Sequence, residues 1–170
     1  MHQLWGRHEA WTTDQTLRSA VRTRWGIARF DPYEKVLDCV GDASRIRQVI
    51  DNLLANVRAH TPTGTSTEVK LNRIGDTATI IVADTGPGMT EDQAKRIFER
   101  FYRIDPSRSR RSGGAGLGLS IVQAVVGAHH GRIEVQSLPG SGTSFVIDLP
   151  TTLSCSSADV RDDGPTAHSG

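Results

Sequence analysis

The 170-residue sequence predicts an α+β domain in two layers: a mixed, mostly antiparallel sheet with helices on one face. Three observations carry this. The run pairs EVKLNRI/TATIIVA and RIEVQS/TSFVIDL alternate in polarity around short Gly-containing turns, so each reads as a hairpin of adjacent antiparallel strands. The segments 42–60 and 117–129 each carry a single apolar face, which needs a sheet to cover it. Strands and helices interleave along the chain, with no internal repeat.

Residues 1–12 are polar around two tryptophans and show no period. From Thr13, Leu17, Val21 and Trp25 recur at helical steps until Gly26. IARF and KVLDCV read as short strands around Asp31-Pro32. Asp42 is the expected N-cap of the clearest helix, in which Ile46, Val49, Ile50, Leu53, Leu54 and Val57 form one stripe. Thr61-Pro62-Thr63-Gly64 ends it. After the first hairpin, Thr90-Glu-Asp-Gln93 is a capping-box pattern that predicts a helix over roughly 91–101. Residues 103–115 are rich in Arg, Ser and Gly and read as a mobile loop. A helix from Leu117 to His129 should end at Gly131, before the last hairpin around Pro139–Gly142. Beyond Pro150 the composition is that of a disordered tail.

Hydrophobic residues make up 36% of the chain, low enough that part of its length is expected to lie outside a core. A net charge of +1 offers no global field for nucleic acid or a membrane surface. No apolar run is long enough to cross a bilayer, and the first residues lack a signal-peptide core. Cys39 and Cys155 lack metal-ligand spacing, so a reduced, cytoplasmic chain is expected.

Three segments carry chemistry. Asn52, Asn56 and His60 are four apart and share a helix stripe beside the apolar seam. Polar residues at a helix edge are commonly just solvated, but asparagine carbonyls also suit Mg²⁺, an ion that takes oxygen ligands and shares them with phosphates. Asp84-Thr-Gly-Pro-Gly-Met89 places a carboxylate at a strand end, followed by two glycines. It can be a simple Asp-capped turn. Alternatively, Asp84 accepts a hydrogen bond from an exocyclic amine such as that of adenine, while Gly86 and Gly88 let the ring lie against backbone. Gly113-Gly-Ala-Gly-Leu-Gly-Leu119 opens a helix after an Arg-rich run, an arrangement suited to phosphate. It is neither a Walker A loop nor a dinucleotide fingerprint, because no Gly-Lys-Ser/Thr follows and no strong strand precedes. Arg103, Arg108, Arg110 and Arg111 could assist it or form a solvated loop.

The ordered set DASRIRQVIDNLLANVRAHTP (42–62), DTGPGM (84–89), FERFYR (98–103), GGAGLGL (113–119) and GSGTSF (140–145) resembles the N, G1, F, G2 and last glycine boxes of the catalytic ATP-binding domain of bacterial sensor histidine kinases. That domain belongs to the superfamily shared with gyrase, Hsp90 and MutL, and the resemblance implies its Bergerat-type fold over residues 34–150. It further implies ATP and Mg²⁺ as ligands. Asn56 would hold the metal, with Asn52 supporting phosphates or metal-bound water and His60 on the same stripe. Asp84 would read adenine, flanked by Gly86, Gly88 and Met89, with Thr143 near it. Phe98 and Phe101 would anchor the base of an ATP lid of about 102–115, entered at Arg103. Gly114, Gly116, Leu117 and Gly118 would turn backbone N–H groups to the phosphates.

One departure stands out. Ala59 occupies the family's usual basic position, and Arg58 sits one residue earlier, about 100° around the helix. Weaker ATP binding, or a transfer of the load to the lid arginines, is expected. Residues 1–33 are too few for the family's two-helix dimerisation domain with its phospho-accepting histidine. The expectation is therefore a stand-alone kinase acting in trans on a separate dimerisation protein, which relays the phosphoryl group to a response regulator. An excised piece of a longer kinase, an anti-sigma-factor-type serine kinase and a non-catalytic nucleotide-binding module are the alternatives.

Overall fold

A computed structural model of the chain describes residues 9–12, 28–31, 38–104 and 116–151. The helix expected after Thr13, the Arg-rich loop over 105–115 and the tail beyond 151 lie outside the described residues. The elements run β1 (Glu9–Thr12), β2 (Ala28–Asp31), β3 (Asp38–Gly41), α1 (Ala43–His60), β4 (Thr67–Ile74), β5 (Thr77–Asp84), α2 (Glu91–Arg96), α3 (Gly118–Ala128), β6 (Arg132–Leu138) and β7 (Gly142–Pro150). The main sheet has the order β2-β4-β5-β7-β6. Only β2 and β4 pair in parallel; the other neighbours are antiparallel. This is the mixed, mostly antiparallel sheet that the two hairpins predict.

The core lies between one face of that sheet and α1 with α3. Cross-strand rows show why. Val69, Val82, Phe145 and Val135 stand opposite one another, as do Leu71, Ile80, Ile147 and Ile133. Side chains two apart on a strand share a face. These rows therefore meet the stripe of α1, whose Ile46, Val49, Ile50 and Leu53 are fully buried. Burying each such side chain contributes roughly 1.5–3 kcal/mol. Phe98, just beyond α2, meets Phe145 edge-on, with ring centroids 6.4 Å apart.

The N-caps of α1 and α2 follow the sequence, and the C-terminal ends of α2 and α3 depart from it. Asp42 accepts from the backbone N–H groups of Ser44 and Arg45, which caps α1 as expected. The capping box of Thr90 and Gln93 also forms, but α2 stops at Arg96 rather than near 101. The chain tightens there, with Glu99 N–H donating to the Arg96 carbonyl. Phe101 then takes a left-handed φ of 64°, which no helix accommodates. At the end of α3 the left-handed residue is His130 (φ 56°), not Gly131. Gly131 is needed for space instead, since a Cβ on it would lie 2.5 Å from the Asp148 carbonyl oxygen.

His129 ties two helix ends together. Its Nε2 accepts from the Asp42 backbone N–H at 3.0 Å, so Nδ1 carries the proton and donates to the Val125 carbonyl at 2.8 Å. The neutral ring bridges the start of α1 and the end of α3.

Two short strands also differ from expectation. Asp38–Gly41 pairs not with the main sheet but with Glu9–Thr12, in a region where the sequence shows no period.

Two stability outcomes follow. His130→Gly removes a left-handed strain and is expected to raise stability by about 0.5–1 kcal/mol, read as a higher denaturant midpoint. Gly140 and Gly142 both have left-handed φ, at 79° and 88°, but a Cβ on Gly140 meets open space while one on Gly142 would sit 1.9 Å from the Asp84 carbonyl oxygen. Gly140→Ala should cost about 1 kcal/mol, and Gly142→Ala several times that. Equal midpoints for the two variants would contradict the described register at this end of the sheet.

Candidate functional site

One more row completes the core face of the sheet, and it is polar. Thr67, Asp84, Thr143 and Ser137 stand opposite one another across β4, β5, β7 and β6, in line with the apolar rows above them. A polar row on a buried face needs partners or a ligand. Asp84 Oδ1 accepts the Gly86 N–H at 2.8 Å. Burial pushes the Asp84 carboxyl above the usual carboxylate range, while the backbone N–H groups of Gly86 and Thr143 act in the opposite direction.

The turn after β5 is fastened on both sides. Thr85 N–H donates to the Ser66 carbonyl at 3.1 Å, and Gly140 N–H donates to the Pro87 carbonyl at 2.8 Å. Gly86 is wedged between Asp84 and Thr61, where a Cβ would lie 2.6 Å from each side chain. Gly88 has a φ of 67° and passes so close to β6 that a Cβ would sit 2.0 Å from the Leu138 carbonyl oxygen. The buried Met89 donates its backbone N–H to Ser137 Oγ at 2.8 Å. Ser137 Oγ also contacts the Gly142 carbonyl at 2.8 Å and Thr143 Oγ1 at 3.0 Å. Sequence reasoning passed over Ser137. The signal that could have found it is its cross-strand position opposite Thr143 in the last hairpin.

The helix stripe lies as its spacing requires. Asn52 and Asn56 are half-buried on α1, and His60 is exposed at its end. Asn52 Nδ2 is buried with no hydrogen-bond partner among the described residues, a donor that lacks an acceptor. His60 is held below the ordinary histidine value, first by loss of surrounding water and then by the nearby Arg103 guanidinium. Arg103 therefore lies near the end of α1 in space.

The segment that should carry the lid is closed at its base. Phe101 N–H donates to the Gly116 carbonyl at 3.0 Å, and Gly116 has a φ of 68°. A Cβ on Gly116 would meet the Phe101 and Tyr102 backbone at 3.1–3.2 Å. Arg96 lies over the Tyr102 ring, 4.5 Å from its centroid. Phe98 packs in the core as expected, but the Phe101 ring is 69% exposed, so this residue fastens the base through its backbone rather than its side chain. Leu117 and Gly118 begin α3 with no side-chain cap on its first N–H groups. Gly114 and the three arginines Arg108, Arg110 and Arg111 lie outside the described residues. No group of three His, Cys, Asp or Glu that could hold a metal exists among the described residues.

A carboxylate in a polar row, an amide stripe on α1 and an uncapped helix start on a closed loop base suit a ligand with a hydrogen-bonding ring and an anionic tail. Comparison with known proteins agrees. Residues 41–153 match the family model described as histidine kinase-, DNA gyrase B-, and HSP90-like ATPase. The probable sensor histidine kinase TcrY of Mycobacterium tuberculosis is 49% identical over 110 residues, 65% of this chain and 23% of TcrY. Among solved structures, the mycobacterial sensor histidine kinase MprB superposes with a TM-score of 0.71 at 29% identity, covering 85% of this chain and 98% of that one. The full-length ShkA in complex with AMPPNP gives 0.73 at 27% identity, covering 84% of this chain and 31% of that one. The chain thus spans about a quarter of the length of the curated relatives it matches. By sequence and by fold it belongs to the histidine kinase-, DNA gyrase B- and HSP90-like ATPase family, as a catalytic ATPase domain of the sensor histidine kinase type.

Proposed function

We propose that this chain binds Mg·ATP and passes the γ-phosphoryl group to a histidine on a separate dimerisation protein, for relay to a response regulator. The observation that carries the ligand assignment is the polar row at the end of the core face, with Asp84 at its centre. A half-buried carboxylate that raises its own pKa is retained at a cost, and an exocyclic amine of adenine is a donor that would offset that cost. The AMPPNP held by ShkA lends the same support.

The chain's own residues divide the work. Asp84 accepts from the base amine, with Thr143 beside it and Gly86, Gly88 and Met89 shaping the ring's seat. Asn52 Nδ2 offers its unmatched N–H to a phosphate oxygen or a bound water. Asn56 supplies a neutral carbonyl oxygen toward Mg²⁺, and Asn52 can assist if its amide is turned. With no carboxylate cluster at hand among the described residues, this donor set fits an ion that takes most of its oxygens from phosphate and water. When bound, the ion neutralises charge on the phosphates. Gly116, Leu117 and Gly118 present the start of α3 to the phosphates, and Gly114 with the lid arginines adds to them. His60 and Arg103 border the phosphate end. Ala59 is exposed and offers no cation, so Arg103, whose field reaches His60, takes over part of that charge.

The relatives are sensor histidine kinases, which weighs against a serine kinase of the anti-sigma-factor type. The same site could equally serve a histidine in its own longer chain. A phosphotransfer assay with γ-labelled Mg·ATP separates these readings. Acid-labile label on a separate dimerisation-domain protein alone is the expected result. Label on this chain points to an acceptor in cis, acid-stable label to a serine kinase, and failure to bind Mg·ATP at millimolar concentration to a non-catalytic module.

Two substitutions test the site. Asn56→Ala should remove the Mg²⁺-dependent part of ATP affinity, seen by calorimetry with and without the ion. Asp84→Asn should weaken ATP binding about ten-fold or more, yet leave the melting temperature unchanged or higher. A carboxyl raised above its unfolded value near 3.8 gives stability that is full below that value and lost as pH rises through the folded one, so at neutral pH the ionised group is a burden. By the same sign, ATP affinity should fall on acidification at a pH above the ordinary carboxylate range. Normal affinity in Asp84→Asn would show that the base binds elsewhere.

A further inference from the structure

We infer that Ser137 determines base specificity, by fixing which way the Thr143 hydroxyl donates. The inference rests on the ATP-site reading above and adds the kind of base that the site rejects. The argument is a count of protons. Ser137 Oγ lies 2.8 Å from the Gly142 carbonyl oxygen. Two oxygens that close need a proton between them, and the carbonyl has none, so the Ser137 hydroxyl donates there. Its single proton is then spent. The Met89 N–H, 2.8 Å away, can only donate, and it takes one Ser137 lone pair. Thr143 Oγ1, 3.0 Å away, must therefore supply the proton of its contact, and Ser137 accepts it. All of Ser137's hydrogen-bonding capacity is used, and the Thr143 proton points away from Asp84.

What remains on the pocket side is uniform. Thr143 stands between Ser137 and Asp84 in one cross-strand row and can offer the ligand only lone pairs. The ionised Asp84 offers only lone pairs as well. The side of the row formed by Asp84 and Thr143 accepts and does not donate. A 6-amino purine brings N–H donors to it directly or through a water. At position 6 a 6-oxo purine brings a carbonyl oxygen, an acceptor set against acceptors; its compensating donor sits at N1–H, so the mismatch at the 6-substituent is what lowers its affinity. If Ser137 lost its hydroxyl, Thr143 would be free to rotate and donate, and the 6-oxo base would become acceptable.

The test is calorimetric titration of the intact chain with Mg·ADP and with Mg·IDP. Wild type should prefer ADP. Ser137→Ala should narrow the ADP/IDP affinity ratio by about five-fold, the worth of one hydrogen bond, and Ser137→Thr, which restores a hydroxyl, should keep the ratio. Thr143→Val should narrow the ratio by itself, and adding Ser137→Ala to it should change the ratio no further. Equal weakening of both nucleotides by Ser137→Ala, with the ratio intact, would overturn the inference and leave Ser137 a structural residue. So would the same narrowing in the Thr143→Val background. Should Ser137→Ala fail to fold, Thr143→Val alone decides, because an unchanged ratio in it removes the accepting side of the row. A wild-type chain that binds neither nucleotide overturns this inference together with the reading beneath it.

Discussion

The antiparallel register between β5 and β7 determines where the other parts of the molecule stand. It sets Ile80 against Ile147 and Val82 against Phe145, and by the same two-residue period it sets Asp84 against Thr143. A slip of one residue would turn the apolar rows outward and carry the polar row with them. Core and site are thus one feature at two depths. The apolar rows hold α1 down through its buried stripe, and Thr61 at the end of that helix lies against Gly86 in the turn after β5. The close approach of Gly142 to the Asp84 carbonyl fixes the register at the end where it matters most.

Much of this was legible in the sequence, for physical reasons. Alternation over eight residues, as in TEVKLNRI, is unambiguous once one face is buried. The stripe of α1 and the Asp42 cap are local signals, and both formed. The failures share a cause: the deciding contact was distant in sequence. EAWT carries no alternation, and its strand exists only through the ladder with Asp38–Gly41. The helix after Thr90 reads as long because its residues favour helix, but Phe101 is held out of it by Gly116. Gly131 was read as the helix terminator on propensity, while space beside Asp148 reserves it and leaves His130 to make the turn.

The site was legible as a set of motifs and less so as a mechanism. Spacing alone put Asn52, Asn56 and His60 on one stripe. No local pattern marks Ser137, a serine in a strand, until the register places it across from Thr143. The exposed ring of Phe101 is also hidden from the sequence, because a large aromatic side chain suggests burial. At Asp84 burial works against the charged carboxyl, while the backbone N–H groups of Gly86 and Thr143 favour it.

The hydrogen bond from Phe101 to Gly116 has a consequence for how this surface can change over time. It pins the two ends of the intervening segment side by side, so the start of α3 is positioned independently of what that segment contains. Closing a loop between fixed ends costs an entropy that grows only with the logarithm of its length. Changes in the length of chain between those two fixed points are therefore cheap for the fold. The start of α3 keeps its place beside Phe101 whatever length of chain joins the two.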